Sequence, residues 1–168
     1  DEVQNAISKI EGNRLANALA GPYLEKVVNS MNVGAENAMA EAKPIFLNAI
    51  TSMSITDAIK IVTGGEGAAT NYLKNVTSAQ LMEKFTPVIK KSLDNLNIDE
   101  PWTKVSSAYN MAMGKSVQTN LNEYVTGKAI AALFSQVKLE EDKIRQNPAA
   151  RGTDLLKKVF GYADSNKN

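Results

Sequence analysis

The feature that most limits this chain's fold is the spacing of its apolar residues, which recur at steps of three and four almost from end to end. Such spacing lines one face of a helix, whereas a half-buried strand alternates with period 2. The pattern is clearest over residues 78–97, where Leu81, Phe85, Val88, Ile89, Leu93 and Leu96 follow one another at helical steps. Thr77 precedes them with Gln80 three residues on, a capping-box arrangement that satisfies the first free amides of a helix. A second row runs through Leu121, Val125, Ala129, Leu133 and Val137, flanked by Tyr124, Ile130 and Phe134 and preceded by the cap pair Asn120 and Glu123. A helix over 121–146 would be about 39 Å long at the usual rise, and it is expected to be the backbone of the fold.

The same grammar predicts the other elements. A first helix over 2–19 should stop at Gly21 and Pro22, and 22–53 reads as one helix or two, interrupted near Pro44. Ser54 should cap a helix from Ile55 to Thr63 that ends in Gly64–Gly65, followed by a short helix over 66–75. Asp99 is expected to cap a helix running to about Met113, and Thr153 a last one from Asp154 to Phe160. Pro44 and Pro87 fall inside periodic stretches and predict kinks. No internal repeat and no Gly- or Pro-rich linker divides the chain. The expectation is one all-α domain over residues 1–161, a bundle of about seven to nine helices, with a polar tail over 162–168.

Residue chemistry then narrows function. The 168 residues contain no Cys and no His. Thiol nucleophiles and thiolate metal sites are thereby excluded, and imidazole-dependent metal and general-base chemistry with them. The 19 basic and 18 acidic residues nearly cancel, and the last third, 111–168, carries only 9 basic against 6 acidic. Nucleic-acid binding calls for a concentrated basic face, which this is not. No apolar run reaches the roughly 18 residues of a membrane-spanning helix. The chain begins at Asp1 rather than Met, as expected of a processed or truncated form from which a signal peptide has been removed.

Several motifs invite a sharper reading and fail on spacing. Gly64–Gly65–Glu66–Gly67 suggests a phosphate loop, but no Lys follows and a helix, not a strand, precedes it. Gly114–Lys115–Ser116 lacks the required earlier glycine, since position 109 is Tyr109. Asn95, Asn97 and Asp99 alternate like a calcium loop, yet its glycine position holds Glu100 and its twelfth position Ser106. Glu140–Glu141–Asp142, set among Lys138, Lys143 and Arg145, reads as a solvated helix face with local ion pairs. No catalytic, metal or cofactor residue is assigned.

The candidate contacts for a partner protein or an apolar ligand are Trp102, Tyr109, Met111 and Met113, which share one helical segment near the turn at Gly114. Arg145 and Arg151 join them as charges that helix capping and packing leave over, expected to pair with carboxylates across the turn between them or to present an anion site.

Three stretches carry a family resemblance: Thr56–Tyr72 (TDAIKIVTGGEGAATNY), Tyr124–Phe134 (YVTGKAIAALF) and Lys143–Gly161 (KIRQNPAARGTDLLKKVFG). They resemble the bacterial domain-of-unknown-function family numbered 4197, over about Tyr23 to Gly161. Gly127 and Ala131 depart from it, standing where relatives often carry acidic residues, and so does Gly152, where a hydroxyl residue is usual. The resemblance implies export, to the periplasm or an envelope surface, and implies no activity. The leading expectation is a non-catalytic helical binding or scaffold module of the bacterial cell envelope. A carrier of a small apolar ligand or lipid comes second, and a carboxylate- or Lys-dependent hydrolase third.

Overall fold

In a computed structural model, the described residues are 8–114 and 120–147. Their regular structure is entirely helical. After helical residues 8–12 come α1 (Arg14–Met39), α2 (Ala42–Thr51), α3 (Ile55–Thr63), α4 (Ala68–Asn95), α5 (Asp99–Met113) and α6 (Leu121–Gln146). These seven helical segments agree with the all-α expectation. The expected helix over 154–160 and the tail over 162–168 lie outside the described residues.

Contacts group the chain into two compact units, residues 1–40 with 83–129 and residues 41–82 with 130–168. In the first unit α1 packs on α5, around a core that includes Val27, Phe85, Ile89, Val105 and Val125. α1 approaches α4 at Gly34, where an added Cβ would make ordinary contact with Ile89 at 3.6 Å. Beside it the Asn37 amide donates to Ser92 Oγ at 3.1 Å. In the second unit Ile45, Leu81, Ile130 and Phe134 are buried, and the Phe46 and Phe134 rings meet at 5.9 Å.

Three boundaries differ from the sequence expectation. The first break falls at Asn13, not at Gly21–Pro22: the Asn13 side chain accepts from the Ala16 amide at 3.1 Å and opens α1, which runs on through Pro22. Pro22 is exposed, and so is Ala18, whose carbonyl loses its helical donor there; water can replace that bond. Pro87 is accommodated inside α4 in the same way, with Glu83 exposed four residues earlier. Pro44 sits in the first turn of α2, where no amide is needed, and the interruption precedes it at Ala40–Glu41.

The second correction is Thr77. It does not start a helix; α4 is continuous from Ala68 to Asn95, and the fully buried Thr77 donates its hydroxyl to Leu73 O at 2.7 Å. Nothing between Ala68 and Pro87 breaks a helix, so a hydroxyl bonded to the preceding turn costs less than ending one. The third is Asp99, which is the first residue of α5 and not its cap. The N-cap is Ile98, with no side-chain hydrogen bond.

Candidate functional site

The ends of three helices in the first unit enclose a cleft of about 480 Å³. Its floor is Leu93 from the end of α4, Ile98 from the turn, and Leu121 from the start of α6, all buried. The half-buried Trp102 forms an aromatic wall, and Lys90, Asp94, Asp99, Asn120 and Asn122 make the polar lining. The turn between α4 and α5 holds Asn97 at φ 50, a left-handed conformation that Asn tolerates better than most residues. Asn120 fixes the third wall: its Oδ1 accepts from the amides of Asn122 at 3.1 Å and Glu123 at 3.4 Å, which starts α6 as the sequence predicts.

Lys90 and Asp94 form an i,i+4 ion pair at 2.7 Å. The hydrogen bond that Lys90 donates to Asp94, then the charge of Asp94 and that of Asp99, hold the Lys90 ammonium above its ordinary pKa. Asp99 itself makes no side-chain hydrogen bond or ion pair among the described residues. Asn122 Oδ1 is buried with no hydrogen-bond partner among the described residues.

The second unit holds a different polar cluster. Glu141 is 6% exposed and accepts four hydrogen bonds. Ala69 N donates to it at 3.0 Å, Thr70 N at 2.9 Å, the Thr70 hydroxyl at 2.7 Å and Arg145 Nε at 2.7 Å. The residue before α4 is Gly67, at φ +79, with no side chain to cap the helix. Glu141 supplies that cap from α6. The glycine-rich turn that invited a phosphate thus does present amides to an anion, and the anion is the chain's own carboxylate. Arg145 completes the clip by donating to Gly64 O at 3.0 Å and Ile61 O at 2.7 Å, carbonyls at the end of α3. Arg145 therefore pairs along its own helix and with backbone. The three neighbouring carboxylates diverge, Glu140 pairing with Lys143 and Asp142 with Lys138. Only Glu141 departs from the expected solvated face.

Burial disfavours the Glu141 carboxylate, but the Thr70 hydroxyl, the two amides and Arg145 outweigh it and lower its pKa below the usual carboxylate value. A folded pKa below the unfolded one means stability is complete above the unfolded value, near 4.5, and is lost as pH falls through the folded value. Urea midpoints of the wild type should therefore decline below about pH 4.5, and those of Glu141→Gln should decline less steeply over the same range. Parallel declines would remove Glu141 as a source of the acid sensitivity.

Of the six contact candidates, Trp102 lines the cleft. Tyr109 is buried in the core at 7% exposure, and Met111 is exposed on the same helix. Met113 is the last residue of α5. Arg145 belongs to the clip, and Arg151 lies outside the described residues. The other cleft residues escape a local sequence reading because they come from three separate helix ends. A further exposed set in the second unit is Leu47 and Ile50 on α2 and Ile55 and Ile59 on α3, a helix with no buried residue.

The family model for a protein of unknown function, DUF4197, matches residues 4–161. The chain belongs to this family. No curated protein and no solved structure matches. The clip lies largely within the stretches that carry the family resemblance: Ile61, Gly64, Ala69 and Thr70 fall in the first, and Arg145 in the last. Among the described residues no single helix is long and apolar enough to cross a membrane.

Proposed function

We propose that the chain is a non-catalytic binding module of the bacterial cell envelope, and that the Trp102 cleft is its recognition site. The observation that carries this is the make-up of the cleft, an apolar floor and one indole beside five polar side chains. Its volume falls within the range common to ligand sites, roughly 300–1,000 Å³. Trp is also the residue most often found at the energetic centre of a protein interface. The chain's chemistry supports binding over catalysis. It has no imidazole or thiol, its buried Glu141 carboxylate spends its acceptors on the start of α4 and on Arg145, and the cleft's lysine is tied to Asp94. The envelope location rests on the family resemblance.

Native mass spectrometry of protein isolated from its own host tests the reading. Wild type should retain a partner or ligand that Trp102→Ala loses while keeping wild-type helicity. Undiminished retention by Trp102→Ala would refute the cleft, and loss on Ile55→Ser instead would move the site to α3. Fractionation of that host should recover the protein with the envelope; recovery in the cytoplasm would contradict the location.

A further inference from the structure

We infer that the Trp102 cleft recognises a cationic hydrogen-bond donor on an aliphatic stem, the chemistry of an arginine or lysine side chain. The inference rests on the proposed function and names its ligand class. Its first ground is charge. Among the described residues the lining holds one ammonium, Lys90, and two carboxylates, Asp94 and Asp99. Lys90 and Asp94 neutralise one another at 2.7 Å, which leaves Asp99. That carboxylate is not spent as a helix cap, because α5 is capped at Ile98 without any side-chain bond.

The second ground is hydrogen bonding. Among the described residues Asn122 Oδ1 is a buried acceptor without a donor, and a buried polar atom left unpaired costs on the order of 1–3 kcal/mol. Asn120 Oδ1, by contrast, is committed to two amides of α6. The third ground is shape: the indole of Trp102 with Leu93 and Ile98 offers an apolar track for a methylene stem, and an indole face attracts a cation lying over it.

One effect opposes these. The N-termini of α5 and α6 border the cleft, and their positive ends favour an anion. Both are already answered within the chain without Asp99, by Glu100 in the first turn of α5 and by the Asn120 side chain with Glu123 at α6. The described lining therefore remains short of positive charge.

Trp102 is the only tryptophan, so intrinsic fluorescence reports on the cleft directly. At matched ionic strength, n-butylguanidinium should produce a saturable change with half-saturation on the order of 1 mM, as its size allows. Butyrate and n-butanol should bind at least about tenfold more weakly, and Asp99→Asn should weaken n-butylguanidinium at least about fivefold. Spermidine and an N-acetyl-Gly-Arg-Gly-amide peptide separate a free amine from a protein-borne side chain; tighter binding of either supports the cationic chemistry. Equal binding of n-butanol, or an Asp99→Asn variant indistinguishable from wild type, would overturn the inference and leave the cleft as a binding site. If no probe saturates, the inference fails; if in addition Trp102→Ala retains its partner in native mass spectrometry, the proposed function fails with it.

Discussion

Arg145→Ala is expected to lower unfolding stability by about 3–5 kcal/mol, the usual cost of removing one partner from a buried ion pair. The Arg145 side chain is 9% exposed and that of Glu141 is 5%. Without the guanidinium, Glu141 keeps its three donors from Ala69 and Thr70 but loses its counter-charge. Gly64 O and Ile61 O lose the only donors from α6 that reach them among the described residues. Arg145→Lys should recover little of the loss, because one ammonium cannot serve three acceptors lying in different directions. Urea denaturation at pH 7 measures both variants. A loss under about 1 kcal/mol for Arg145→Ala would show that the clip is solvated in solution and contributes as weakly as a surface pair.

Phe85→Ala should be comparably damaging, at about 3–5 kcal/mol. Phe85 is wholly buried in the first unit, in the interior that also contains Ile89 and Val27, so the truncation removes a large apolar side chain and leaves a cavity the neighbours only partly fill. Val76→Ala, at a position 46% exposed on the same helix, should stay within about 0.5 kcal/mol of wild type. Denaturation of the two side by side separates burial from any general effect on α4. A Phe85→Ala loss below about 1.5 kcal/mol would argue against a shared interior at that position.

The helices themselves were legible because apolar spacing is a local signal, and so were caps whose side chain and amide lie close together. Ser54, whose Oγ accepts from the Asp57 amide at 3.1 Å, and Asn120 are of this kind. Errors arose where a residue type has two uses. Thr77 is a fine cap by composition, yet its hydroxyl finds Leu73 O within the helix. Pro22 reads as a helix breaker by composition, yet it and Ala18 lie on the exposed face of α1 and the helix runs on through it. Asp99 stands where a cap should be and is one residue inside.

Glu141 was hidden for a different reason. Glu and Arg four residues apart on a long helix normally form a solvated pair. What sends this one inward is a partner about seventy residues away, the uncapped start of α4 after Gly67. A glycine-rich turn leading into a helix with no capping side chain of its own was the available signal, since those amides must find an acceptor somewhere. The cleft had no comparable local signal. Trp102 was visible as an aromatic near a turn, but Lys90, Asp94, Asp99 and Asn122 become neighbours of it only through the packing of three helix ends.

The most direct test of the account is amide hydrogen exchange on the complex that co-purifies from the native host, compared with the free chain. Added protection should concentrate on residues 90–102 and 120–122, the walls of the Trp102 cleft. Protection confined to residues 47–59, or spread with no change around Trp102, would contradict it.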